Sequence, residues 1–380
     1  MDGNGRVWLI DSTLRDGEQA PNVSFRKEGR QEVVRMLDEM GIDEIEAGTP
    51  AIGPDERKKI RHLTEMHPRA RISVWCRATR EDIDLAADTG ASGIHIAFPV
   101  SHIQQAAMNK DWEWLEAALP ERVEQAQSFF PFVSIGAQDA GRCEADRLSA
   151  FLDMAVRCQV PRVRIADTVG ILTPLKTMGL IQRIKASHPS LDIDFHGHND
   201  FGMATANAIS AQQAGASALS VTVNGLGERA GNAALEEVVM ALSQLLGQTH
   251  YATGQLAELC RYVAELSKRP IPVSKPVCGE YTFSHESGIH AKGSLIDIKA
   301  FQAFDGSLVG RESSRNVFGT HSGKGAVIAL LEKHGIPVKE EMIPLLVKMI
   351  RNKAQKQERC IEPSEIIVLY NTINNRNNPF

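Results

Sequence analysis

Eight short runs rich in apolar and β-branched residues recur along the chain as far as Gly225: VWLIDST, DEIEAG, RISVWC, GIHIAFP, FVSIGAQ, RVRIAD, LDIDFHGH and ALSVTVNG. Each has the length and alternation of a strand. Between them lie stretches with apolar residues at helical spacing, among them RQEVVRMLDEMGI, EDIDLAADTGA, ADRLSAFLDMAVRCQV and MATANAISAQQAGA, several closing on Gly before the next strand. Alternating βα units in this number predict a (β/α)8 barrel, an α/β fold. A doubly wound open sheet is the alternative, but no G-x-G-x-x-G follows the first strand.

A barrel of this kind builds its site at the C-terminal ends of its strands. Polar residues gather there: Arg15 and Asp16 after strand one, Arg77 after strand three, Ser101 and His102 after strand four, Gln138 and Asp139 after strand five. Asp167 and Thr168 follow strand six, while Asn224, Glu228 and Asn232 follow strand eight. Strand seven carries the densest chemistry. In LDIDFHGHND, residues 191–200, Asp194, His196 and His198 stand two apart, so a strand sends all three to one face. Two imidazoles make a poor core and a good metal platform. With Asp16 at the same mouth they form a carboxylate and two histidines with open positions for oxygen ligands, suited to Mg, Mn, Co or Zn.

Beyond residue 260 the rhythm changes. RPIPVSKPVCGE carries three prolines in a short span and predicts an extended linker; a loop-rich segment follows, then helical patterns in GKGAVIALLEKHG and KEEMIPLLVKMIRNKAQK. The expected organisation is a catalytic barrel over 1–262, a linker and loop-rich subdomain over 263–325, and a C-terminal helical region over 326–380.

Composition narrows the class. Forty-two Lys and Arg against 47 Asp and Glu argue against a polyanion-binding surface, and no apolar run is long enough to cross a bilayer. The N-terminus has neither a basic region nor a long apolar core, so a cytoplasmic chain without nucleic-acid or membrane partners is expected. The six scattered cysteines, with no C-x-x-C, read as free thiols.

LIDSTLRDGEQ, IADTVG, FHGHNDFGMATANA, NGLGERAGNAALEEVVMAL and FSHESGIHAKG, in this order, resemble the acyl-CoA-condensing branch of the metallolyase family that carries an Asp-Arg-Glu-type first motif on a (β/α)8 barrel. Isopropylmalate, citramalate and homocitrate synthases belong to that branch, and hydroxymethylglutaryl-CoA lyase is a more distant member. VWCR, FPVS and VSIGAQDAGR are similar to the short homocitrate synthases associated with nitrogenase cofactor assembly. The resemblance implies condensation of acetyl-CoA with a 2-oxo acid, 2-oxoglutarate first among the candidates, followed by thioester hydrolysis to homocitrate. The same condensation on another 2-oxo acid is the alternative, and lyase-like cleavage a more distant one.

It also implies roles. Asp16, His196 and His198, with Asn232 as a further donor, would hold a divalent cation. Arg15 would balance alkoxide charge, and His290, assisted by Glu228, would take a proton from acetyl-CoA, with His285 as the rival base. His290 would act in the neighbouring protomer of a homodimer. Gln19, Arg77, Ser101, Ser134 and Thr168 would contact the small-molecule substrate, Arg77 supplying the cation for a distal carboxylate. The chain departs from relatives at Glu312, Ser313 and Ser314, where a tyrosine is common, at Ser134, where lysine-pathway enzymes have an arginine, at Arg77, where they have a histidine, and at Gln138, where many have a glutamate.

Overall fold

A computed structural model describes residues 6–377, which divide after Ile271 into two compact units. The first unit contains β1 (Trp8–Asp11), α1 (Lys27–Met40), β2 (Glu44–Glu46), α2 (Pro54–Thr64), β3 (Arg71–Arg77), α3 (Arg80–Ala87) and β4 (Gly93–Pro99). It continues through α4 (His102–Ala107), α5 (Trp112–Phe129), β5 (Phe132–Gln138), α6 (Ala145–Arg157), β6 (Arg162–Asp167) and α7 (Pro174–Ser187). Then come β7 (Asp192–Gly197), α8 (Ala204–Gln213), β8 (Ala218–Val221), α9 (Leu235–Leu246) and α10 (Leu256–Ser267). The eight strands close into a parallel barrel in sequence order, and β1 pairs with β8 through Trp8↔Ala218 to Asp11↔Val221. The (β/α)8 expectation therefore holds.

The outer face of the barrel is aliphatic. Leu9, Ile45, Val74, Ile94, Ile96, Ile135, Val163, Ile165 and Phe195 are at most 1% exposed and pack under the helices. The interior is not. Glu44 and Glu46 on β2, Arg162 and Arg164 on β6 and Asp194 on β7 are buried, and they neutralise one another across the barrel. Arg162 Nη2 donates to both oxygens of Glu44 at 2.8 and 2.7 Å, while Arg164 joins Glu46 (2.9 Å) to Asp194 (2.5 Å). Buried charge in a low dielectric requires such pairing, and two-residue alternation places each charge one layer above the last.

Asp11 points away from this ladder. Its carboxylate accepts from Thr13 N and Oγ1, each at 2.9 Å. Burial, reinforced by the Glu236 and Glu46 carboxylates, pushes it up to about 7. The folded chain thus holds a proton that the unfolded chain, at about 3.8, releases. Stability from this group is complete below that lower value and is lost as pH rises through 7, by up to about 1.4 kcal/mol per pH unit. Urea melts between pH 5 and 8 should show this decline, and an Asp11→Asn variant should flatten it.

The second unit contains β9 (Ser284–His285), α11 (Gly288–Ile296), β10 (Arg315–Asn316), α12 (Lys324–Lys333), α13 (Ile343–Gln357) and α14 (Pro363–Asn377). Phe318, Leu331, Ile343, Leu346, Ile350, Ile366 and Tyr370 share one core. The segment expected as a separate loop-rich piece thus contributes Phe318 to the same core as the C-terminal helices. The boundary expected at 262/263 falls inside α10, whose Val263, Ala264 and Ser267 are buried. No helix among the described residues is long and apolar enough to cross a membrane, and none of the six cysteines, all of them described, is in a disulfide.

Candidate active site

A cavity of about 230 Å³ opens at the C-terminal ends of the strands, lined by Arg15, Asp16, Gln19, Trp75, His95, Ala97, Gly136, Gln138, Arg164, Ala166, Thr168, His196, His198 and Glu228. Seven of the eight strands, all but β2, contribute to its lining directly or through the loop that follows them. Beyond β1 the chain turns tightly, with Arg15 N and Asp16 N both donating to Ser12 O at 3.1 and 2.8 Å, which points both side chains into the mouth. β7 sends His196 inward, and His198 follows two residues on.

The three expected metal donors converge. His196 Nε2 lies 3.3 Å from His198 Nε2 and 3.4 Å from Asp16 Oδ2, and one donor atom from each residue falls within 4.8 Å of the other two. Asp16 Oδ2 and the Nδ1 atoms of both histidines are buried without a hydrogen-bond partner. Asn232 bridges to His198 in a short antiparallel pairing and donates Nδ2 to Leu226 O (3.0 Å), while its buried Oδ1 has no partner. A carboxylate oxygen and an amide oxygen without hydrogen-bond partners, and two imidazoles whose Nε2 atoms meet only each other and Asp16, fit a divalent cation with mixed nitrogen and oxygen ligands.

Electrostatics prepare these donors. Burial raises the Asp16 carboxyl, but the Arg15 guanidinium and the two imidazoles outweigh it and hold the group well below the usual carboxylate range. His198 is pushed down to about 4 by burial and by His196, so it is neutral, with a lone pair to give, over the physiological range.

Arg15 is held from behind. Its Nε donates to Glu46 Oε2 at 2.5 Å, Ser12 Oγ donates to the same oxygen at 2.6 Å, and its guanidinium carbon lies 5.6 Å from the Trp75 ring centre. Burial again raises the Glu46 carboxyl, and Arg15 and Arg164 overcome it to hold Glu46 well below its ordinary value.

Gln19, Thr168 and Glu228 reach the cavity as expected, and Thr168 Oγ1 accepts from Asp139 N (2.9 Å), which leaves its proton to donate. Other expected contacts lie elsewhere. Arg77 does not line the cavity: its side chain is 64% exposed and forks onto Asp82 through Nε (2.9 Å) and Nη2 (2.7 Å). Asp82 sits in the first turn of α3, where Thr79 caps the helix, so a fixed carboxylate beside the strand end captures the guanidinium. Ser101 is the N-cap of α4 and donates to Asp139. Ser134 is buried and bonds His95 Nδ1 at 2.9 Å, one layer behind the cavity wall. His290 belongs to the second unit, on α11, its ring stacked on Phe301 with centroids 4.3 Å apart and 6.0 Å from that of His285.

Glu46, Trp75, His95 and Arg164 were not anticipated. His95 is held neutral by burial and by the Arg164 guanidinium, and Gly136 makes room for it, since a Cβ there would fall 2.5 Å from His95 Nε2. One sequence signal was available. DEIEAG and RVRIAD place acids and arginines at period two in strands that a closed barrel must bury, so they must answer one another.

Arg229, next to Glu228, fastens three strand-end loops. Its Nε and Nη2 take Asp200 at 2.8 and 3.0 Å, and Nη2 also takes Thr168 O at 2.8 Å. With φ of 54° the backbone turns Arg229 away from the direction Glu228 takes. An Arg229→Ala variant should lose about 10- to 100-fold in kcat through misplacement of Glu228 and Thr168, with Arg229→Lys recovering part of it in steady-state assays.

The fold and the donor set define a (β/α)8 barrel with a carboxylate and bis-imidazole metal site at its mouth. Two family profiles match the chain, HMGL-like over residues 6–263 and homocitrate synthase post-HMGL domain-like over 277–358. The chain belongs to the HMGL-like family. It is 38% identical to 2-isopropylmalate synthase 2 of Caldanaerobacter subterraneus subsp. tengcongensis over 97% of this chain and 96% of that one. It is 39% identical to homocitrate synthase 1 of Nostoc sp. (96% and 97% covered) and 37% identical to 2-phosphonomethylmalate synthase of Streptomyces rubellomurinus (96% and 97%). Hydroxymethylglutaryl-CoA lyase from Pseudomonas aeruginosa superposes with a TM-score of 0.63 at 19% identity, covering 70% of this chain and 95% of that one, a likeness of fold. The protein is accordingly an enzyme, an acyltransferase of the branch that condenses acetyl-CoA with 2-oxo acids.

Proposed function

We propose that the protein joins acetyl-CoA to 2-oxoglutarate and hydrolyses the thioester, releasing homocitrate and coenzyme A. The observation that carries this reading is the convergence of Asp16, His196 and His198 beside the Arg15 guanidinium in one cavity. A divalent cation (Mg, Mn, Co or Zn) held by Asp16, His196 and His198, with Asn232 as a further donor, would polarise the ketone of the 2-oxo acid. Arg15, fixed by Glu46, offers its remaining N–H groups to the oxygen that gains charge as the ketone is attacked. Gln19 and the free proton of Thr168 orient the 1-carboxylate. His290 takes the methyl proton of acetyl-CoA, assisted by Glu228, and acts on a neighbouring protomer's cavity in a homodimer. Mixing His290→Ala with Asp16→Asn protein should then restore activity in hybrid dimers; no recovery after demonstrated subunit exchange would sink that arrangement.

The distal carboxylate is the point on which substrate choice turns. With Arg77 tied to Asp82, the groups left for it are Gln138 and His95, whose Nδ1 is engaged by Ser134 and whose Nε2 remains. The resemblance of VWCR, FPVS and VSIGAQDAGR, together with the named homocitrate synthases of Nostoc sp. and Frankia alni among the relatives, favours 2-oxoglutarate. The lack of a free guanidinium at that end keeps 2-oxoisovalerate, pyruvate and a phosphonate-bearing oxo acid as the second reading. Thiol release from acetyl-CoA across these oxo acids, with Mg or Mn and after chelation, tests both. Metal-dependent release with 2-oxoglutarate above all others is expected, and preference for a branched or shorter acid would overturn the substrate while keeping the chemistry. An Arg77→Gln variant should keep its KM within about threefold, since a surface pair of this kind contributes little.

A further inference from the structure

The opposite, N-terminal mouth of the barrel holds a second cavity of about 160 Å³, lined by Arg6, Trp8, Arg71, Phe132, Arg162, Asp192, Ser217 and Ala218. Its chemistry is unusual for the closed end of a barrel, which aliphatic side chains ordinarily fill. Arg71 and Arg162 both stack on Phe132, with guanidinium carbons 3.8 and 4.6 Å from the ring centre, and Arg71 also lies 4.9 Å from the centre of a Trp8 ring. Stacking occupies the faces of the guanidinium groups and leaves their N–H edges to point elsewhere.

One carboxylate answers both. Glu44, buried beneath, takes Arg162 Nη2 through two bonds and Arg71 Nη1 at 3.2 Å. Asp192 stands in register beside Arg162 and lines the same cavity, and Lys185 lies near it, so four cations, Arg6, Arg71, Arg162 and Lys185, meet three carboxylates, Asp43, Glu44 and Asp192, one positive charge in excess. Arg162 is 5% exposed, and its buried Nε has no hydrogen-bond partner. On the rim, Arg6 is paired with Asp43, and Asp192 lies within the field of Lys185. The cavity therefore presents planar N–H edges, held rigid by aromatic rings, around a space that admits a group of a few heavy atoms.

We propose that this is a binding site for a small oxyanion, a carboxylate or a phosphate, distinct from the catalytic cavity at the other end of the barrel. Guanidinium edges in this setting match the paired oxygens of both groups. The ligand joins β3 to β6 and so closes the barrel floor.

Thermal unfolding and titration calorimetry with inorganic phosphate and with malonate, each against chloride at matched ionic strength, test the proposal on the Asp16→Asn protein, so that the catalytic metal site does not contribute. A saturable rise in Tm of about 5 °C at a hundred times Kd is expected with at least one of the two. Response to phosphate alone or to malonate alone identifies the oxyanion; equal response to chloride, or none to either, overturns the site. Arg71→Gln should abolish the shift. Arg71→Lys, which keeps the charge and the Glu44 pair but loses the fork, should weaken binding about fivefold or more, and unchanged affinity in both variants would place the anion elsewhere.

Discussion

An Asp16→Asn variant should fold and melt like the parent and lose at least about a thousandfold of its acetyl-CoA thiol release, because the donor set it breaks is the one on which ketone polarisation depends. The substitution is nearly isosteric and keeps an oxygen in place, so the turn at Ser12 survives. The charge does not survive. Asp16 is held ionised by Arg15 and the two imidazoles despite its burial, and Oδ2 has no hydrogen-bond partner to lose. Calorimetry with Mn or Zn should show affinity weakened by about 10- to 100-fold or more, as for a lost ligand or ligand support. In the parent, protons compete with the metal for the histidines. With His198 pushed down to about 4, that imidazole stays available to the metal on mild acidification. Turnover within tenfold of the parent, at saturating metal, would remove Asp16 from the donor set.

What could be read from the sequence was what lies close together along it. FHGH declares itself because two histidines at period two must share a face, and the face of a barrel strand end is the site. The eight-fold alternation declares the barrel for the same reason, since each βα unit is local. Arg77 misled because its strand parity is right for the barrel interior, whereas its side chain is settled by Asp82 in the first turn of α3, whose backbone N–H donates to Thr79 and whose carboxylate also accepts from Arg77 N. Glu46 went unread because its partners, Ser12, Arg15 and Arg164, are contributed by two other strands and become neighbours only when the sheet closes. Asn232 is expected as a further donor through its motif; its Nδ2 bonds Leu226 O in the same loop and its buried Oδ1 is left without a partner, which the sequence does not show. The prolines at 270, 272 and 276 mark where the chain leaves α10, and the apolar stripe of that helix runs on to Ser267, past the 262/263 position.

The buried ladder behind the site supplies the second large effect, in a Glu46→Gln variant. Glu46 is fully buried and gathers three donors: Ser12 Oγ at 2.6 Å, Arg15 Nε at 2.5 Å and Arg164 Nη1 at 2.9 Å. An amide in its place is uncharged and turns an N–H₂ toward at least one of those donors. Arg15 and Arg164 would then share Asp16 and Asp194 with no carboxylate between them. Breaking a buried pair while leaving its partners charged costs about 3–5 kcal/mol, and urea melts at neutral pH should show a loss of that order. Because the folded value of Glu46 is depressed, its contribution is complete above the ordinary 4.5 and is lost as pH falls, so the gap between parent and variant should narrow in acid. Activity should fall further than stability requires. Arg15 freed from Glu46 can rotate toward Asp16, and kcat should drop by about a hundredfold or more at temperatures where the variant is folded, with KM for the oxo acid little changed, the signature of a donor aimed at charge that develops only in the transition state. A variant that melts within about 1 kcal/mol of the parent would mean that the ladder is balanced without Glu46, and intact turnover would mean that Arg15 is aimed by Trp75 and the Ser12 turn alone.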